Sequence, residues 1–340
     1  MIFIPYYFFF VSSMLFGVFI SISRCRWLYI WIGLEVNLLS FVPLVVCGSN
    51  NLESEAAIKY FLVQALGSCI ILFSYFSFMS FINCYVFGYR IYSYIIIIGL
   101  ILKIGIFPFH HWLPQVMNRV SWFNCFLLSV IQKIAPGFIL CFIMYGHRSF
   151  LFFVLGSLGS VFGGYNGINQ RQLRVILAYS SIGHLGWILC SIHFSFFVFF
   201  YYFIIYSLIS SGLMLLLNLC TFKVINLNGF INIPLVYIIF IWLSFLSLSG
   251  LPPFLGFYSK LLVIYYIVYF KKRIFCSLLV FGSLINLFYY LNIFFNLYIT
   301  SVFKNIFFKE YVFFYKPLLL ALSIILSFSY FSFGFLYLIF

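Results

Sequence analysis

Gly105-Ile106-Phe107-Pro108-Phe109 and Gly250-Leu251-Pro252-Pro253-Phe254 are the two stretches whose reading decides the fold of this 340-residue chain. Each lies near the middle of a long apolar segment, 84–117 and 233–269. As one continuous helix the first segment would be about 51 Å long at 1.5 Å per residue. That exceeds the roughly 30 Å hydrocarbon core of a bilayer, yet the segment is too short for two crossings and a loop. Glycine loosens a helix, and proline removes a backbone donor and clashes with the preceding turn. Both segments are therefore expected to be discontinuous helices, two half-helices joined by an unwound stretch inside the membrane. Unwound backbone at that depth is tolerated only within protein or beside a water-filled cavity.

The sequence on either side fits this reading. The chain is 66% hydrophobic and 6% charged, a balance outside the range of soluble globular domains. A transmembrane β-barrel would need short segments of alternating polarity, and runs such as Tyr94 to Leu102 do not alternate. The expectation is an all-α polytopic membrane protein, one membrane domain over 1–340, with about eleven spans: 3–21, 27–47, 55–79, 84–117, 120–145, 149–168, 173–192, 195–221, 233–269, 274–299 and 315–338. The two breaks fall in the fourth and ninth spans, an odd number of crossings apart. Paired, Gly/Pro-broken spans mark transporters built from repeats. Residues 1–145 and 149–299 then form two five-helix units of opposite topology, and 315–338 is an appended helix. Gly156, Ser160 and Gly164 recur at four-residue spacing, a packing face for a neighbouring helix.

The formal charge of +14 is not a nucleic-acid signal. The basic residues are spread over short loops, with no basic patch interleaved with polar sequence. Arg24, Arg26, Arg148, Lys271, Lys272 and Arg273 read as loop anchors at headgroup level. They divide too evenly between the two sides to fix the orientation. The nine cysteines include no C-x-x-C pair and read as small buried hydrophobes. Residues 1–20 lack the basic region and cleavage site of a signal peptide and read as the first span. No P-loop, no G-x-G-x-x-G with an acidic partner and no facing histidines for haem occur, so the chain shows no site for ATP, nicotinamide, flavin, iron–sulfur or haem.

Four charges sit within the apolar spans: Glu35, Lys103, Lys133 and Lys260. Ionisable residues at bilayer depth are costly and usually mark ion pathways or proton relays. Lys133 lies mid-span, about 15 Å from either headgroup layer. Burial disfavours its ammonium, so it can gain and lose a proton as its neighbours change; the alternative is a lysine neutralised or paired with a carbonyl, such as the one freed by Pro136. Lys103 precedes the first break and Lys260 follows the second, each beside unwound backbone that can solvate it, unless both simply snorkel to the headgroups. A lone carboxylate such as Glu35 needs a proton or a cation, and Lys103 is the expected partner. Glu53 and Glu55 read as solvated. His110 and His111 follow the first break and either extend a proton path or bond loose backbone. His184 reads as a packing residue satisfied by Ser180 and Ser181, or as a further relay group.

Trp31-Ile32-Gly33-Leu34-Glu35-Val36-Asn37, Lys59-Tyr60-Phe61-Leu62-Val63-Gln64, Lys103 to Pro114, Ala178 to Trp187 and Leu248 to Lys260 together resemble the mitochondrial NADH dehydrogenase subunit 2 family, antiporter-like membrane subunits of respiratory complex I. The resemblance covers about residues 20–265. It implies proton translocation across the mitochondrial inner membrane, coupled to NADH-to-ubiquinone electron transfer in other subunits. It implies eleven helices, a matrix-side N-terminus and a Glu/Lys relay mapping onto Glu35, Lys103, Lys133 and Lys260. It places NADH, FMN, Fe–S clusters and ubiquinone in other subunits, with no cofactor in this chain. The expected partners are other membrane subunits of the complex, including antiporter-like ones, and lipids such as cardiolipin. Two readings compete with it: a subunit of a monovalent cation/proton antiporter, which would need more core carboxylates than Glu35, and a structural subunit whose buried charges lock helices together.

Overall fold

In the computed structural model, residues 5–23, 26–47, 51–80, 87–144, 150–219 and 235–307 are described. They are helical: α1 (Pro5–Ser23), α2 (Trp27–Val46), α3 (Asn51–Ser80), α4 (Phe87–Ile104), α5 (Trp112–Arg119), α6 (Trp122–Phe126), α7 (Gln132–Met144), α8 (Leu151–Ile168), α9 (Leu173–Phe194), α10 (Phe196–Leu219), α11 (Leu235–Ser249), α12 (Leu255–Tyr269) and α13 (Arg273–Phe307). A π-turn, Leu127–Ile131, joins α6 to α7, so that Trp122–Met144 is one span. Among the described residues, eight helices are long and apolar enough to cross a membrane. The shorter apolar helices in α4, α11 and α12 are the halves of the two interrupted segments. The expected eleventh span, 315–338, lies outside the described residues.

Both interruptions stop their helix in the same way. α4 ends at Ile104 and Gly105 takes φ +78°; α11 ends at Ser249 and Gly250 takes φ +80°. The Gly105 N–H donates to Ile101 O (3.0 Å) and the Ile106 N–H to the same carbonyl (3.3 Å). The Gly250 N–H donates to Leu246 O (3.2 Å) and the Leu251 N–H to the same carbonyl (3.5 Å). A left-handed glycine whose amide and following amide fold back on the last turn is the αL helix stop. The glycine sets where the helix ends, and the prolines lie in the unwound turn beyond it.

The chain divides into two compact units, Met1–Phe150 and Leu151–Phe340. In the first, α1 packs on α2, α2 and α4 on α3, α5 on α3, and α7 on α1 and α4. The closest approaches use paired glycines. A Cβ at Gly17 would lie 2.8 Å from Gly33 O, and one at Gly99 would lie 3.0 Å from Gly67 O. In the second unit, α8 packs on α9 and α13, α10 on α9, and α11 and α12 on α10. The small-residue face of α8 does the expected work here. Gly156 meets Gly186 O of α9 at 2.7 Å from its would-be Cβ, and Gly164 meets Gly282 O of α13 at 3.1 Å. Close backbone approach over small residues is how helices associate where surrounding lipid removes the hydrophobic drive.

Candidate functional site

The last turn of a helix leaves four carbonyls without intrahelical donors. At the second break, the folded-back amides satisfy Leu246 and Ser247. The two that remain, Leu248 O and Ser249 O, receive Lys260 Nζ at 3.3 and 2.6 Å. Lys260, 5% exposed, thus sits on the negative end of a half-helix dipole. Its stem lies over Gly250, where a Cβ would come within 2.9–3.1 Å of Cδ, Nζ and Cε. Its ammonium is 5.9 Å from the Trp187 ring of α9, within cation–π range. It is held by carbonyls well inside the fold, which is not the geometry of a snorkelling lysine.

The first break has the same backbone but a different partner. The carbonyl two residues before the glycine is that of Lys103, and it accepts from Gln64 Nε2 of α3 at 2.9 Å. Leu102 O, one residue earlier, accepts from Trp112 Nε1 at 3.3 Å. Lys103 itself is 6% exposed. Its side chain passes over Gly67 of α3, where a Cβ would lie 2.8 Å from Lys103 Cγ. Glu35, half-buried on α2, is near enough for its charge to act on Lys103 and on Tyr60. The expected contact pair is corrected in one respect: Glu35 and Lys103 do not form a direct ion pair. α3 packs on both α2 and α4, and its buried Tyr60 fills space between Phe41 (ring centroids 4.9 Å) and Trp112 (5.9 Å).

Lys133 is 3% exposed and follows directly on the π-turn of its span. π-turns inside α-helices concentrate at functional positions because the extra residue widens the helix. His110 lies in the first break, buried, with Nδ1 3.2 Å from Pro108 O; His111 beside it is exposed, the two rings 4.2 Å apart. His184 is buried on α9 with Nδ1 3.0 Å from the Tyr202 hydroxyl of α10. Ser180 and Ser181, its expected partners, donate instead to Leu177 O and Ala178 O of their own helix. Glu55, solvated as expected, pairs with Lys59 (2.8 Å) and with Arg119. Among the described residues, no group of His, Cys, Asp and Glu is placed to hold a metal ion.

Sequence reasoning gave no role to Gln64, Tyr60, Trp112 or Trp187. Each is a polar or aromatic residue within an apolar span, and the partners are backbone carbonyls or groups far along the chain.

Comparison with known proteins agrees with this architecture. Residues 25–286 match the family described as NADH:quinone oxidoreductase/Mrp antiporter, TM. NADH-ubiquinone oxidoreductase chain 2 of Anopheles gambiae is 37% identical over 302 residues, 87% of each chain. A chain of respiratory complex I from Thermus thermophilus superposes with a TM-score of 0.83 at 21% identity, covering 97% of this chain and 78% of that one. A chain of the Mrp complex from a Dietzia species superposes with a TM-score of 0.78 at 19% identity, covering 84% and 59%. At these identities the two structural likenesses bear on the fold alone.

Proposed function

The chain belongs to the NADH:quinone oxidoreductase/Mrp antiporter membrane family, among the NADH-ubiquinone oxidoreductase chain 2 proteins, and from that premise we propose that it is a proton-translocating, antiporter-like core subunit of respiratory complex I. It works in the mitochondrial inner membrane with its N-terminus on the matrix side. Electron transfer from NADH to ubiquinone takes place in other subunits, which hold the FMN, the Fe–S clusters and the quinone; this chain moves protons. Its partners are the other membrane subunits, antiporter-like ones included, and anionic lipids such as cardiolipin. The two units are inverted repeats, a reading supported by the shared αL stop at Gly105 and Gly250.

The observation that carries the reading is the placement of three deeply buried lysines beside irregular backbone: Lys103 before one break, Lys260 on the free carbonyls of the other, and Lys133 after a π-turn. Each ammonium can lose or regain a proton when the groups that stabilise its charge change. Glu35 favours the charged form of Lys103 while it is ionised; protonating or moving Glu35 releases the Lys103 proton onward. At Lys260 the half-helix carbonyls do the same. Glu35, Lys103, Lys133 and Lys260 are the relay in chain order, with His110, His111 and His184 as accessory groups.

Glu35→Gln tests the switch. The complex is expected to assemble and to lose most of its NADH-driven proton pumping in proteoliposomes. Unchanged pumping would remove Glu35 from the relay. A sodium requirement for transport in the same vesicles would favour a cation/proton antiporter.

A further inference from the structure

Three polar residues of α13 are used by nothing described so far. Asn286, Tyr289 and Tyr290 stand at i, i+3 and i+4, on one helical face, and are 3%, 3% and 1% exposed. Glycines make room for them. A Cβ at Gly183 of α9 would lie 2.8 Å from Asn286 Nδ2, and one at Gly167 of α8 would lie 2.9 Å from the Tyr289 ring. The Tyr290 ring lies 4.6 Å from that of Tyr289 and 5.2 Å from that of Phe245 on α11.

Asn286 Oδ1 and both phenol oxygens are buried without a hydrogen-bond partner among the described residues. Ser180 of α9 neighbours both phenols; its hydroxyl donates to Leu177 O at 2.9 Å, which leaves its oxygen able to accept. Tyr289 and Tyr290 approach Ser180 and each other without reaching hydrogen-bonding geometry. Polar atoms orphaned in this way inside a membrane domain are strongly disfavoured. Bound water is their ordinary remedy, each molecule making about three hydrogen bonds.

The face is also connected. Ser180, Ser181, His184 and Trp187 form one stripe along α9. The stripe reaches Lys260 through Trp187, 5.9 Å from the ammonium. It reaches α10 through His184 and the Tyr202 hydroxyl, 3.0 Å apart, and Tyr290 lies within electrostatic reach of Tyr202 and Tyr206.

We propose that Asn286, Tyr289 and Tyr290 hold bound water that continues the proton path from Lys260, by way of His184 and Ser180, towards the N-terminal end of α9. The proposal rests on the proton-translocation reading above. The proton leaves Lys260 as one N–H bond breaks and the ammonium becomes the neutral amine; at each later step one N–H or O–H bond breaks as the next forms, so that a phenol oxygen accepts a proton from one water while its own proton leaves to the next and the phenol is neutral before and after. No oxidant or cofactor is required.

The test replaces Tyr289 and Tyr290 by Phe, together and singly, in the assembled complex. Phe keeps the rings that pack on Gly167 and Phe245 and removes only the hydroxyls. The expected result is a several-fold fall in protons moved per NADH oxidised, with NADH oxidation by an artificial acceptor unchanged. A map of the unaltered complex should show ordered water within hydrogen-bonding distance of Tyr290 Oη and Asn286 Oδ1. Full pumping in the Phe variants, or a dry cluster in the map, overturns the proposal. Lys133→Ala run in parallel separates the two levels. Pumping lost there but retained in the Phe variants overturns the α13 branch alone, and pumping retained in both overturns the relay reading with it.

Discussion

Gln64 and Lys260 satisfy equivalent carbonyls at the two breaks, one with a neutral amide and one with an ammonium. The difference matters for chemistry. At the second break the mobile charge is itself the helix cap, so a change in its protonation alters the cap. At the first break the cap is a fixed amide, and Lys103, whose stem passes over Gly67, keeps its ammonium within reach of the Glu35 charge. Gln64→Leu removes the donor to Lys103 O and is expected to cost about 1–3 kcal/mol, the penalty of a buried unsatisfied carbonyl. Thermal unfolding of the detergent-solubilised complex measures it; a variant as stable as the parent would show that Lys103 O finds another donor. Glu35, Lys103, Lys133 and Lys260 were legible in sequence because charge in an apolar span is conspicuous. Gln64 was not, because its partner is a backbone carbonyl on another helix and carries no sequence signature. The direct Glu35–Lys103 pair was expected from sign and depth alone, and sequence could not reveal that α3 packs on both their helices.

The broken helices were legible for a related reason. Segment length exceeded the bilayer, and glycine with proline stood near the middle. The stop itself belongs to the glycine: a residue with Cβ at φ near +80° is strained by roughly 1–2 kcal/mol, and at Gly250 the added carbon would also press on Lys260 within 2.9–3.1 Å. Gly250→Ala should therefore lower the thermal stability of the complex and reduce pumping more than Gly→Ala on an exposed helix face. Equal effects at the two sites would show that the left-handed stop is dispensable. The π-turn at Leu127–Ile131 was invisible in the sequence. Leu127-Leu128-Ser129-Val130-Ile131 is ordinary apolar helix by composition. The π-turn matters because it sets the position of Lys133, the residue that follows Gln132 at its end.

For the molecule as a whole, composition and span length were enough to establish an all-helical membrane protein, and the family match over residues 25–286 places it among antiporter-like subunits. His184, Ser180 and Ser181 of α9 stood out in the sequence, but the α13 face beside them was beyond sequence reading. Tyrosine is abundant throughout this chain, with 27 in all, so nothing marked Tyr289 and Tyr290 until their burial was known. The function proposed for the assembled protein turns on whether its buried lysines carry protons or only fasten helices. Lys133→Ala decides between these, because Lys133 is deeply buried mid-span, at the end of the π-turn. The measurement is protons translocated per NADH oxidised by the intact complex in sealed vesicles, with assembly checked on the same preparation. The relay account requires pumping to be largely lost while the complex remains assembled; full pumping and full coupled NADH oxidation in the variant would contradict it.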